Sequence, residues 1–358
     1  MTGKIHPNAD TESTLKPTHD HPDLTAMLKI PCIQISHSQG LPEEVLSSPE
    51  PVVLEGLIKD WPAVSVAQGS DQELAQYLKD FDNGEPITAM AVPAGEAGRI
   101  FYNQDFSSFN FEYKRLRLSD AIQQILSYAP VLESPTLYVG STNVNAWLPG
   151  FRDKNDLPLD QLNPLASIWL GNRSRVAAHF DFPSNLACVV AGHRQFQLFP
   201  PDQIENLYIG PLDFTPAGQP ISLVDFKQPD LALHPKFQEA LSQVRIADLS
   251  AGDALFIPSM WWHHVEATES FNVLVNYWWR SSPSYLGAPL NALQHAILAL
   301  RDLPPEQREA WHKLFDHYVF NAGPKTVDHI PTKARGILDP LEQHSAKGLK
   351  DFLREKLL

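Results

Sequence analysis

Between Pro51 and Trp279 the chain repeats one motif of patterning: a short apolar run, then a break containing Pro or Gly. The runs cover 51–54, 87–92, 137–139, 166–170, 186–200, 253–258 and 271–279, and 186–200 carries Gly192, where a turn would divide it. They predict a mainly β, antiparallel architecture. Two stretches interrupt it with helical spacing, Asp71–Phe81 and Ser119–Tyr128, each opening on a residue of N-cap type. The period then changes for the rest of the chain. Leu290, Leu293, Ile297 and Leu300 recur at helical spacing, and Pro304-Pro305 introduces a second stripe of Trp311, Leu314, Phe315 and Tyr318. A helical segment over 283–358 follows, whose stripes either cover a core or build a homodimer interface. Residues 1–25 are polar and without periodicity, so they read as an N-terminal arm, with His19 and His21 part of a solvated tail. That leaves 26–282 as one β-rich domain whose N-terminal part mixes helix and strand.

Composition narrows the setting. A chain of 358 residues with 43% hydrophobic content buries a large core. No stretch reaches the roughly 20 apolar residues of a membrane span, and the start lacks the order of a secretory signal, so the expected location is cytoplasmic. Cys32 and Cys188 are the only cysteines. They cannot build a disulfide framework or a thiolate cage, which fits a reducing compartment and directs any metal to His and carboxylate ligands. A net charge of -14, with no basic run longer than Lys114-Arg115, argues against nucleic acid as a partner.

The chemistry concentrates in two places. In His179-Phe180-Asp181 the ligand types sit at i and i+2, which on a strand point to one face while Phe180 points to the other. A third ligand comes from His263-His264. Val265 and Ala267 share the parity of His263, whereas Glu266 and Thr268 share that of His264, so His263 faces inward and His264 outward or towards a supporting position. Two imidazoles and one carboxylate leave about three octahedral positions open, the arrangement of non-haem Fe(II) oxygenases. Core histidines satisfied by hydrogen bonds are the plain alternative.

Arg194 shares a strand face with Phe196 and Leu198. A guanidinium on an apolar face needs an anion, and its planar fork suits a carboxylate, from the protein or from a ligand. A small dicarboxylate that chelates a metal at one end, 2-oxoglutarate, would satisfy it. Asn276 lies in the apolar run 271–279, and Asn185 follows Asp181 by four residues. As buried amides both need partners, either a ligand carboxylate or the core itself.

The order H-x-D, then Phe199-Pro200-Pro201-Asp202-Gln203, Val224-Asp225-Phe226 with Pro229-Asp230, Gly252-Asp253 through Trp261-Trp262-His263-His264-Val265-Glu266, and Val275-Asn276-Tyr277-Trp278 resembles the cupin-like Jumonji-C 2-oxoglutarate oxygenases, in particular their asparaginyl hydroxylases. The likeness extends upstream to Pro51–Leu54, Asp60-Trp61-Pro62 and Leu137-Tyr138, covering roughly 30–280. It implies a double-stranded β-helix, or jelly roll, over 26–282, and the first histidine of the later pair, His263, as the third ligand. It further implies that Tyr138 bonds the distal carboxylate of 2-oxoglutarate and that Asn185 and Asn276 line the cosubstrate pocket. Two departures matter. Arg194 stands where the asparaginyl hydroxylases carry Lys, which keeps the charge. Pro220-Ile221 and Val139-Gly140 replace their peptide-contacting polar residues, so substrate identity does not carry over.

The expected function is an Fe(II)- and 2-oxoglutarate-dependent hydroxylase using O2, with catalytic and metal residues His179, Asp181 and His263 and cosubstrate residues Arg194, Tyr138, Asn185 and Asn276. A protein or peptide side chain is the expected substrate. Trp262, Trp278, Phe180 and Phe182 are expected to wall the pocket or simply to pack the core. Rival readings are a cupin metalloenzyme without 2-oxoglutarate, and a jelly roll that serves as a silent scaffold.

Overall fold

In the computed structural model of the protein, residues 28–36, 40–131 and 133–357 are described, so the arm over 1–25, with His19 and His21, lies outside the described residues. The described residues up to Trp279 form one compact unit and those from Arg280 onward another.

The first unit is built on strands β1 (Cys32–Gln34), β2 (Val52–Glu55), β3 (Pro86–Val92), β4 (Arg99–Ile100), β5 (Glu112–Arg117), β6 (Thr136–Asn143), β7 (Leu165–Gly171), β8 (Ser174–Phe180), β9 (Ser184–Ala191), β10 (His193–Phe199), β11 (Arg245–Ser250), β12 (Ala254–Ile257), β13 (Trp262–Ala267) and β14 (Asn272–Trp279). Nine of them form a sheet in the order β1-β2-β12-β9-β14-β7-β6-β3-β5, and five form a second in the order β11-β10-β13-β8-β4. Among the pairs of these strands only β1–β2 and β4–β8 are parallel. Phe196, Leu198, Leu249 and Val265 of the smaller sheet meet Ala187, Val189, Leu255, Ile257 and Leu274 of the larger in one cluster, the interior of a jelly roll.

The other face of the large sheet carries Leu186, Cys188, Val190, Phe256, Val273, Val275 and Tyr277, packed with Val64, Leu74, Leu78, Ile122 and Ile125 of the helices Pro62–Ala67, Asp71–Lys79 and Leu118–Tyr128. β9, β12 and β14 are therefore covered on both faces. That is why they read as continuous apolar runs rather than alternating ones. Each fully buried Leu, Val or Ile contributes roughly 1.5–3 kcal/mol.

The run 186–200 is two strands, folded back at Gly192 as expected, whose φ of 77° a side chain would resist. Several other elements differ in detail from expectation. The helix from Asp71 is capped by Ser70, whose hydroxyl accepts the Glu73 N–H, and the helix from Leu118 has Arg117 at its cap position with no side-chain cap. The Ser119 N–H instead bonds Asp82 Oδ2. β5, β11 and the short β1 and β4 carry no apolar run that announces them. β5 reads Glu-Tyr-Lys-Arg-Leu-Arg because it ends the large sheet in solvent.

The second unit is helical, with Pro289–Leu300, Pro305–Phe315 and Gln343–Leu357 as its longer helices. Leu293, Leu298, Trp311 and Leu314 are exposed on it. No helix among the described residues is long and apolar enough to cross a membrane.

Candidate functional site

Antiparallel pairing of β8 with β13 sets His179 directly opposite His263, and opposed residues share a face. Their ring centroids are 4.3 Å apart. Asp181 follows the end of β8, where the turn from β12 to β13 is pinned onto it. The Met260 N–H donates to Asp181 O at 2.9 Å and the Ser259 hydroxyl to Phe182 O at 2.5 Å. Met260 adopts a φ of 70°, a left-handed conformation that this anchoring sustains. One ligand atom from each of His179, Asp181 and His263 lies within 4.8 Å of the others.

Both imidazoles are fixed by the chain itself. His179 Nδ1 meets Ala177 O at 3.0 Å and His263 Nδ1 meets Trp261 O at 3.0 Å. A carbonyl can only accept, so Nδ1 carries a proton in both rings and Nε2 is the nitrogen left for a metal. Burial, then the neighbouring His179, pushes His263 down to about 4, which keeps it neutral as a metal ligand must be.

The carboxylate is held equally firmly. Asp181 Oδ2 accepts from Asn185 Nδ2 and from Trp278 Nε1, each at 3.1 Å, and stands 3.6 Å from His263 Nε2. Asn185 Oδ1 accepts from Asn276 Nδ2 at 3.3 Å, and Asn276 Oδ1 accepts from Trp169 Nε1 at 2.7 Å. The register of β9 on β14, with Asn185 opposite Trp278, brings these groups together. The two asparagines thus bond one another and Asp181, and they also line the cavity. Oδ2 thus carries two donors and is the oxygen that faces the His263 imidazole.

Arg194 is 2% exposed, and its Nε and Nη2 have no hydrogen-bond partner among the described residues. Arg152 and Arg245 also leave a nitrogen unbonded, but they pair with Asp156 and Glu50. Among the described residues Arg194 has no such carboxylate. Its polar neighbour is the Tyr138 phenol, which partly offsets the burial that pulls the guanidinium below its ordinary value. Burial also pushes Tyr138 up, against the pull of Arg194. A guanidinium buried in this way is costly without an anion.

A cavity of about 410 Å³ is lined by all seven predicted residues, His179, Asp181, His263, Arg194, Tyr138, Asn185 and Asn276. A donor set of two imidazoles and one carboxylate suits a non-haem Fe(II) ion, and an unpaired guanidinium in the same cavity suits a carboxylate-bearing cosubstrate. Trp278 lines the cavity as expected, but Phe180 and Trp262 do not. They pack edge-to-face at 5.0 Å in the cluster around Phe199 and Phe237, because each is one residue out of phase with a ligand on its strand. His264 shares that side: its ring stacks on Phe226 at 4.7 Å and its Nε2 meets Glu266 Oε1 at 3.1 Å. Trp169, Met90 and Ile221, also in the lining, carry no sequence signal beyond apolar character. The partner that Asn276 needs is in part the Trp169 indole, which donates to its Oδ1.

Residues 38–285 match the Cupin-like domain family. The lysine-specific demethylase JMJ31 of Arabidopsis thaliana is 35% identical over 117 residues, 32% of this chain and 21% of that protein. HSPB1-associated protein 1 of Mus musculus is 26% identical over 349 residues, 88% of this chain and 67% of that protein. tRNA wybutosine-synthesizing protein 5 of Danio rerio is 31% identical over 146 residues, 37% of this chain and 42% of that protein. The chain thus spans about a fifth of the plant protein, two thirds of the mouse protein and under half of the zebrafish protein. With its jelly roll and its His-Asp-His group, the chain belongs to the cupin-like domain family and fits the Jumonji-C type of 2-oxoglutarate oxygenase.

Proposed function

We propose that the protein is an Fe(II)- and 2-oxoglutarate-dependent hydroxylase acting on a protein or peptide side chain. His179, Asp181 and His263 hold the iron, Arg194 and Tyr138 take the far carboxylate of 2-oxoglutarate, and Asn185 and Asn276 shape the cosubstrate pocket. With O2, the bound iron and 2-oxoglutarate supply the redox chemistry, which converts the keto acid to succinate and CO2 and a substrate C–H to C–OH. The chain supplies orientation. Carbonyls of Ala177 and Trp261 fix the imidazole tautomers, Asn185 and Trp278 fix one oxygen of Asp181, and the aromatic walls keep the pocket dry.

The observation that carries this reading is the unpaired guanidinium of Arg194 in the cavity that holds the ligand group. A cupin enzyme without 2-oxoglutarate has no use for it, and a silent scaffold has no use for an unpaired buried charge. A polypeptide substrate is favoured over RNA by the net charge of -14. The free thiols Cys32 and Cys188 support a cytoplasmic setting. Exposed Leu293, Leu298, Trp311 and Leu314 on the C-terminal helices support a homodimer, which light scattering on the purified chain checks.

The test is succinate formation by the purified protein with Fe(II), ascorbate and 2-oxoglutarate, alongside calorimetric titration of 2-oxoglutarate into the Mn(II)-loaded protein. Binding of 2-oxoglutarate that disappears in Arg194→Ala and His179→Ala is expected. Absence of both binding and succinate would sink the proposal.

A further inference from the structure

The sheet face that forms one wall of the cavity does not stop at the cavity. Met90 of β3 pairs with Tyr138 of β6 on one side and with Tyr113 of β5 on the other, while Thr88 pairs with Arg115 and Pro86 with Arg117. Opposed residues share a face, so Tyr138, Met90 and Tyr113 form one row and Thr88 and Arg115 a second, with Arg117 beyond. The intervening residues confirm the phase. Ile87, Ala89, Leu116, Leu137 and Val139 belong to the helix-covered core on the opposite side. Met90 and Thr88 line the cavity, Tyr113 is 54% exposed, and both Arg115 and Arg117 are exposed on the strand that ends the sheet. A continuous surface therefore runs from the cosubstrate pocket over Met90 and Thr88 to two arginines at the rim.

Arg115 and Arg117 make no ion pair among the described residues, whereas Arg99, Arg152, Arg175 and Arg245 each face a carboxylate. Apart from its two histidines, Asp181 and Arg194 are the only acidic or basic side chains in the cavity lining among the described residues. We propose that the substrate is a polypeptide carrying acidic residues next to an uncharged target side chain. The acidic stretch docks on Arg115 and Arg117, and the target reaches inward over Thr88 and Met90. This rests on the oxygenase reading of the site.

Charge complementarity favours that occupant. In a chain of net charge -14, a polyanion is repelled nearly everywhere, so a pair of free cations at the pocket rim selects strongly for where it lands. RNA needs many phosphate contacts to overcome the same repulsion. The remaining cation of the strand, Lys114, points to the opposite face, since it pairs with the core residue Ala89.

Fluorescence anisotropy on the full chain without iron tests the surface. The probes are a short fluorescein-labelled peptide with central Ala-Asn-Leu flanked by glutamates, the same peptide flanked by lysines, and a single-stranded RNA of equal length. The acidic peptide should bind, and bind about tenfold more weakly to Arg115→Glu/Arg117→Glu, with Arg115→Gln/Arg117→Gln intermediate. The lysine peptide should not share that loss. Circular dichroism and melting confirm that the variants fold, as exposed positions permit. No binding of the acidic peptide, or equal binding to wild type and variants, overturns the proposal, and so does RNA that binds more tightly than the peptide and is lost with the same substitutions. A parallel 2-oxoglutarate titration of the Mn(II)-loaded wild type separates the two ideas. If 2-oxoglutarate binds and the acidic peptide does not, docking alone fails; if the peptide binds and 2-oxoglutarate does not, the oxygenase reading fails.

Discussion

Replacing Arg194 with Met keeps most of the side-chain volume and removes the charge, and the two consequences have opposite signs. Without ligand, wild type holds a guanidinium at 2% exposure with Nε and Nη2 unbonded. Exchanging such a charge for an apolar side chain of similar volume is neutral or stabilising, by about 1–4 kcal/mol. With 2-oxoglutarate, the variant lacks a charge-assisted pair worth about 2–5 kcal/mol, which weakens affinity about 30-fold to several thousand-fold. Thermal melting of the Mn(II)-loaded protein reads both. At a ligand concentration of about 100 Kd, wild type gains about 2.7 kcal/mol. For a domain of this size that is a rise of roughly 5–10 °C. The expected outcome is a variant that melts at or above wild type alone and does not respond to 2-oxoglutarate. A variant that melts well below wild type would mean that Arg194 is paired structurally. One that keeps the full ligand shift would mean that the carboxylate binds elsewhere.

Three further outcomes follow from the same geometry. His263→Ala should abolish Mn(II) binding in a calorimetric titration, whereas His264→Ala should retain it and lose about 1 kcal/mol of stability with the Glu266 bond and the Phe226 stack; the reverse pattern would exchange the two histidines. Trp278→Phe leaves the aromatic wall but removes one donor from Asp181 Oδ2, and Mn(II) affinity followed by electron paramagnetic resonance should fall about 10- to 100-fold, an unchanged affinity denying the indole that role. Gly192→Ala places a Cβ 2.3 Å from Asn272 Oδ1 and 2.9 Å from Phe271 O at a φ of +77°, so urea denaturation should show a loss of at least about 2 kcal/mol, and a smaller loss would mean that the turn relaxes freely.

What was legible in the sequence follows from which physical rule each residue obeys. β9, β12 and β14 announce themselves because they are buried on both faces, and Gly192 marks the turn between β9 and β10. Period-two parity selects His263 over His264, and it places Arg194 among Phe196 and Leu198. The same parity put Phe180 on the face away from His179, so including it in a pocket wall contradicted the rule that found the ligands. β5 and β11 were invisible for a different reason. Their outer residues face water, and the pairing that makes them strands is set by neighbours distant in sequence, Thr88 to Arg115 and Gln195 to Asp248. Trp169 could not be assigned to the site until the register of β7 against β14 brought it near Asn276.

A buried polar group by itself says little, and the opposite face of the large sheet shows why. Asn155 is fully buried, yet its side chain bonds the Ala63 N–H, the Tyr77 hydroxyl and the Phe151 carbonyl, and Tyr277 donates to Asp156, which Arg152 neutralises. The carboxylate and the guanidinium of that network pair with one another, so its charges are met within the protein and it reads as structural. On the cavity side the bonds are directional instead. Trp169, Asn276, Asn185 and Trp278 all deliver their hydrogen bonds towards one oxygen of Asp181, the imidazoles are held with Nε2 free, and the guanidinium is left open. Two buried polar systems in one fold thus differ in whether a buried cation has a carboxylate to face among the described residues. In the other, two imidazoles, a carboxylate and a guanidinium without a carboxylate share one cavity, a donor set that suits a cation and a carboxylate together.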